Sequence, residues 1–196
     1  MPLGLRGIFV LTVLELMIGC AGTKFVRQTD EGVVIGQTTY SEIVARLGKP
    51  YQNGILTKNT RQMKTMSYAF ASALGDGDQE YVVPANSQVF YFYEDKLVGY
   101  EYASSWKADS TNFESDRISQ IRINESTIED IVSLFGEPRG KYSYPMIASE
   151  DGKAVNYFYT QVTSKFLSIK MLVKKLNITF DKNGKVIDYE FSESRQ

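Results

Sequence analysis

Residues 35 to 50 read IGQTTYSEIVARLGKP, and residues 123 to 138 read INESTIEDIVSLFGEP. The segments align without a gap at an offset of 88, matching Ile35 with Ile123, Thr39 with Thr127, Ile43-Val44 with Ile131-Val132, Gly48 with Gly136 and Pro50 with Pro138. Tyr40, Ile43, Val44 and Leu47 recur at i, i+3, i+4 and i+7, as do Ile128, Ile131, Val132 and Phe135. That spacing lines one face of a helix. Thr38 and Ser126 are N-cap candidates; Ser126 with Glu129 forms a capping box, as Thr39 with Glu42 does in a register one later. Gly48 and Gly136 suit the left-handed position that ends a helix, and a proline two residues on prevents continuation. Agreement of caps and stops at one offset predicts two short amphipathic helices in a duplicated chain.

The segments C-terminal to the two helices also correspond. Residues 89 to 102, VFYFYEDKLVGYEY, align with residues 176 to 191, LNITFDKNGKVIDYEF, when Asn183-Gly184 is taken as an insertion in the second copy. Asn-Gly between alternating segments is a strong hairpin signal. Leu176, Ile178 and Phe180 share one face of the strand, with Asn177 and Thr179 on the other. Thr65 to Ala71 and Val155 to Val162 are further strand candidates. The expected fold is α+β: two tandem units, each a short helical N-terminal part packed on an antiparallel meander of at least three strands. The expected boundaries are 1–20 for a signal segment, 21–32 for a tether, 33–102 for the first unit, 103–118 for a polar linker holding Trp106, and 119–192 for the second unit.

In this alignment Phe90 and Phe92 stand where the second copy has Asn177 and Thr179, so the first copy offers apolar residues on both faces of the strand. Either another part of the chain covers the second face, or Phe90 and Phe92 form an exposed aromatic patch and anchor a partner protein. A one-residue shift of the alignment would swap the faces.

Composition narrows the chemistry. The chain has 196 residues, 22 Lys+Arg against 23 Asp+Glu, no histidine and one cysteine. The charge balance implies no polybasic surface for nucleic acid. Without histidine there is no Ser-His-Asp or Cys-His nucleophile and no His-ligated metal. One cysteine permits neither an intrachain disulfide nor a CxxC site. Asp76-Gly77-Asp78-Gln79-Glu80 stops short of an EF-hand loop and reads as a solvated turn. Ser149 with Glu150-Asp151-Gly152 reads as another turn. No catalytic residue, metal site or cofactor is assigned, and a carboxylate or Ser-Lys hydrolase is the least favoured reading.

Residues 1 to 20, MPLGLRGIFVLTVLELMIGC, place one cation at Arg6 before an apolar run from Gly7 to Ile18 that is short for a bilayer crossing. Met17-Ile18-Gly19-Cys20 resembles a bacterial lipobox, in which the cysteine thiol is acylated and becomes the first residue of the mature chain. That resemblance makes Cys20 a lipid attachment point, and the Ala21-Gly22 that comes next implies the outer membrane. The alternative is an ordinary signal peptide or membrane anchor with an incidental cysteine.

Gly36, Thr38, Val44, Leu47, Gly48 and Pro50, then Ser126, Val132, Phe135, Gly136, Pro138, Phe180, Asp181, Gly184 and Val186, follow a pattern that resembles the SmpA/OmlA family of BamE-like outer-membrane lipoproteins. Two such units in tandem are similar to the β-lactamase inhibitor protein fold. The second copy departs from the pattern in having Asn124 for the opening glycine, and the first lacks the Asn-Gly turn. The resemblance implies a non-enzymatic, lipid-anchored envelope protein that faces the periplasm and binds outer-membrane or envelope proteins, an accessory to outer-membrane assembly or envelope integrity. The alternative it implies is a periplasmic inhibitor of an enzyme.

Overall fold

The computed structural model describes residues 22–72, 79–166 and 168–196. Cys20 and residues 76–78 of the acidic run lie outside the described residues. In chain order the elements are α1 (Tyr40–Leu47), β1 (Gln52–Lys58), β2 (Arg61–Ala71), β3 (Val82–Val83), β4 (Ala85–Tyr93), β5 (Lys96–Ser104), α2 (Ile128–Phe135), β6 (Gly140–Tyr142), β7 (Lys153–Lys165), β8 (Ser168–Phe180) and β9 (Val186–Arg195). The strands form one antiparallel sheet in the order β1-β2-β4-β5-β6-β7-β8-β9, with β3 paired to β7. Among the described residues, no helix is long and apolar enough to cross a membrane.

Both helices end where their sequences specify. The N-caps are Thr39 and Thr127, each in a complete capping box, with Glu42 and Asp130 as the returning carboxylates. The backbone N–H groups of Thr39 and Thr127, with help from their hydroxyls, hold these two carboxyls below the usual range. For the second helix this corrects the expected Ser126–Glu129 box by one residue. Ser126 and Thr38 instead close the turn before each helix, their side-chain oxygens accepting the N–H groups of Arg122 (3.0 Å) and Val34 (2.9 Å). Their carbonyls then accept from Val186 and Leu97, tying each turn to a strand.

Several such contacts recur at this spacing. The N–H of Gly36 donates to the Leu97 carbonyl at 2.8 Å, and that of Asn124 to the Val186 carbonyl at 2.7 Å. Gly36 has φ 79° and Asn124 φ 65°, so asparagine replaces glycine at a left-handed position that it tolerates better than most residues. The hydroxyls of Tyr68 and Tyr157 donate to the carbonyls of Gly48 and Gly136, each at 2.8 Å, fixing the C-terminus of each helix to the sheet. Burial pushes the Tyr68 phenol up to about 12 and raises that of Tyr157 as well.

Register defines the two faces of the sheet. Phe90 lies opposite Tyr100, Tyr100 opposite Lys141, and Lys141 opposite Val155, so these four share a face. Both helices cover that face. Ile43 of α1 packs on Met66, Tyr68, Phe90 and Phe92, and Ile131 of α2 on Val155, Tyr157, Leu176 and Ile178. The halves meet at the short pairing of β5 with β6, where two glycines make room for the large residues beside them. A Cβ on Gly99 would stand 2.6 Å from the Tyr142 ring, and one on Gly140 2.7 Å from the Tyr100 carbonyl.

Two expected spacers are structural. In the segment predicted as a tether, Phe25 packs on Tyr68, and Gln28 exchanges hydrogen bonds with buried Gln88. In the predicted linker, Phe113 is buried in the core under α2, where it contacts Tyr157, and the Thr111 hydroxyl donates to the Phe158 carbonyl at 2.6 Å. Polarity concealed both, because one aromatic ring in each segment does the anchoring.

A candidate protein-binding face

Phe90 and Phe92 are buried at 0% and 1% exposure on the helix-covered face, which corrects the face assigned to them and leaves no exposed aromatic patch there to anchor a partner. The reason is the length of the second hairpin. Phe92 pairs with Leu97, and Phe180 with Val186, so the second turn is longer by one residue and not by two. Phe90 and Phe92 therefore occupy the positions of Ile178 and Phe180. The Asn183-Gly184 turn does join β8 to β9 as expected, with the Asp181 carboxylate accepting the N–H groups of Asn183 and Lys185. In the first half the same bend is made by Glu94 and Asp95 in left-handed conformation, φ 49° and 63°.

The face that carries no helix is the candidate site. At one end it is covered by residues 143–149, whose Met146 and Ile147 pack with Met63, Tyr91 and Tyr142. Asn59 secures this cover by donating from its side-chain amide to the Pro145 carbonyl at 3.0 Å. Beyond it, Ser67, Ser87, Val89, Phe158 and Thr160 stand half-buried across β2, β4 and β7, whereas Met66, Tyr68, Phe90, Tyr157 and Tyr159 on the helix side of the same strands are buried. The sheet thus has one face covered by the two helices and one that carries no helix and is partly open.

A charge sits in the middle of the open face. Glu101 of β5 is 5% exposed and accepts three donors: the Tyr91 hydroxyl at 2.9 Å, the Lys175 ammonium at 2.6 Å, and the Tyr142 hydroxyl. These residues come from β4, β5, β6 and β8, so the cluster bridges the two halves. Burial, then the Glu101 charge, pushes both phenols well above the ordinary tyrosine value of 10. They donate hydrogen bonds to the carboxylate and stay protonated at neutral pH. Lys175 also lies over the rings of Phe158 (5.3 Å) and Tyr142 (5.9 Å), leaving its stem and the Phe158 ring at the surface. The arrangement orients a cation and an aromatic edge for contact. It supplies neither a free base nor a nucleophile.

A second concavity lies on the helix side, where the halves adjoin. This cleft of about 830 Å³ is lined by Val33, Ile35, Ile128 and Phe180, with Asp30 and Lys141 at its rim. Lys141 forms an ion pair with Asp30, and the Tyr100 hydroxyl donates to the same carboxylate. Partial burial works against ionisation of Asp30, but the hydrogen bonds from Lys141 and Tyr100 hold its carboxyl below its ordinary value of 3.8. Among the described residues, no group of three or more His, Cys, Asp or Glu side chains could hold a metal ion.

Sequence reading missed Glu101, Lys175 and Tyr142. A signal for Glu101 was present: in Tyr100-Glu101-Tyr102 an acid is flanked by aromatic residues in a strand with apolar residues on both faces. Its partners lie 41 and 74 residues away, and no spacing pointed to them.

No protein-family model matches the chain. The resemblance of its motifs to the SmpA/OmlA family therefore stands on the quoted residues alone. No curated protein matches it either. Among solved structures, the chain is similar to a crystal structure from Streptococcus mutans described as a putative beta-lactamase inhibitor protein, at 13% identity and a TM-score of 0.39, over 95% of this chain and 97% of that one.

Proposed function

We propose that the protein is a non-enzymatic, lipid-anchored module of the bacterial envelope that binds other envelope proteins through the open face of its sheet. The observation that carries this reading is the asymmetry of the two faces. One is covered by α1 and α2, while the other leaves Val89, Phe158 and Lys175 half-buried around a neutralised charge. Partly exposed apolar and aromatic groups around a charge neutralised within the fold suit a protein-binding surface.

The chain reads as two BamE-like units in tandem. The recurrence of the turn-closing, helix-fixing and strand-tying hydrogen bonds supports this, as does the equivalence of Ile43 with Ile131 and of Phe25 with Phe113. Attachment through an acylated Cys20 at the outer membrane, facing the periplasm, completes the reading. It is supported by the lipobox-like ending at Cys20. Residues 22 onward pack directly on the first half, so an anchor at Cys20 would hold the sheet close to its membrane.

The alternative within the same class is an inhibitor that covers the active site of a periplasmic enzyme. A crosslinking pull-down of the full chain from membranes separates the two. Co-recovery of several outer-membrane or envelope-complex subunits is expected, whereas recovery of a single soluble enzyme would replace the scaffold reading with the inhibitor one.

A further inference from the structure

The long hairpin of β7 and β8 carries a second, unrelated surface. Lys165 pairs with Ser168, so the turn opens on Phe166, which has φ 54°. Two other tight turns of the chain place polar residues in this left-handed region: Asn59-Thr60 (φ 49° and 60°) and Glu94-Asp95 (φ 49° and 63°). A bulky aromatic residue is costly there, and its side chain recovers nothing by packing, because Phe166 is 92% exposed. Ile169 beside it is 72% exposed, and Lys165 and Lys170 flank the pair. The tip thus carries an exposed aromatic ring on a left-handed turn, open apolar surface and two cations, of which Lys165 also lies over the Tyr81 ring at 4.8 Å.

Its place in the sheet indicates what it meets. Gly22 bridges to Phe70 at the end of β2, and the neighbouring Ala71 pairs with Ala85 at the start of β4. Two residues before Ala85, Val83 pairs with Val162 of β7, which then runs on to Lys165. The start of the described chain and the hairpin tip therefore lie at the same end of the sheet. Gly22 is two residues from Cys20 in sequence.

We propose that the β7–β8 tip is a membrane-contact point, with Phe166 and Ile169 entering the headgroup boundary of the bilayer and Lys165 and Lys170 resting on anionic headgroups. A convex apolar tip with flanking lysines fits a lipid surface, into which rings insert while ammonium groups reach outward. A second contact at this end would also fix the orientation of the open face. The placement near Cys20 and that orientation rest on the lipid-anchored reading; the exposed ring and flanking lysines do not.

The test is Phe166→Trp in the full chain, with the parent, whose only indole is Trp106, as reference. Vesicles are made of phosphatidylethanolamine and phosphatidylglycerol, with and without brominated acyl chains. The introduced indole is expected to shift to the blue and to be quenched by the brominated chains, while the parent signal changes little. Phe166→Asn, which removes the ring and suits the left-handed turn, is expected to keep or raise the melting temperature and, in a Cys20→Ser background, to weaken vesicle binding about tenfold. Absence of quenching in chains that do bind vesicles overturns the proposal, as does capture of the tip by a protein with no lipid effect. If Cys20→Ser leaves chain mass and attachment unchanged, the anchored reading fails while a quenched tip still stands.

Discussion

Replacing Phe90 or Phe92 with alanine is expected to lower the unfolding free energy by about 4 kcal/mol each, the cost of an empty aromatic site in a closed core. For a domain of this size that is a fall in melting temperature of roughly 10 °C. Phe90 stands edge-on to Tyr68 at 6.2 Å between ring centres, and Phe92 edge-on to Tyr40 at 5.5 Å, so each truncation also removes an aromatic pair at the seat of α1. Chemical denaturation of the single variants checks this. If either variant melted with the parent, the ring would be at the surface, and the hairpin register that places it under α1 would be wrong.

The second large effect is at the buried charge. Glu101→Leu removes the acceptor of Tyr91, Tyr142 and Lys175 together, stranding two phenols and an ammonium group beneath the open face. The expected loss is about 3 kcal/mol, toward the lower end for a broken buried pair because Lys175 keeps 31% of its side-chain surface in water. Glu101→Gln retains an acceptor and is expected to cost less. A double-mutant cycle of Glu101→Gln with Lys175→Gln isolates the ion pair, and a coupling of about 1 kcal/mol or more is expected. A coupling near zero would mean that Lys175 is held by Phe158 and Tyr142 alone.

How much of this was legible in the sequence depended on whether a signal was local. Helix positions, stops and the Asn183-Gly184 turn were readable because caps, glycines and periodicity act within a few residues. The N-cap of the second helix was misplaced by one because Ser126 and Thr127 are both good caps. The Ser126 side chain instead accepts the N–H of Arg122, four residues back, and its carbonyl accepts the N–H of Val186 across the chain, which leaves the cap to Thr127. The face of Phe90 was misassigned because an insertion of one residue and one of two fit the local pattern equally well, and strand faces alternate with every step. The short strands β1 and β6 carried no alternation to find: β1 is almost wholly exposed, and β6 has three residues. The Glu101 cluster was out of reach because it is assembled from four strands through the sheet register.

The two faces also explain why the aromatic content of 13% left the open face unmarked. Most of the rings seal the core, and the residues left half-open are mixed: serine, threonine, valine, one phenylalanine and a lysine. Such a surface is specified by position in the sheet, which no run of sequence displays.

The most direct measurement is site-specific photocrosslinking in intact cells, with a photoreactive residue placed in turn at Val89 and Phe158 on the open face and at Glu129 on the exposed side of α2. Discrete protein adducts from Val89 and Phe158, with none from Glu129, are the expected result. Adducts from Glu129 alone, or none from either open-face position, would contradict binding through the open face of the sheet.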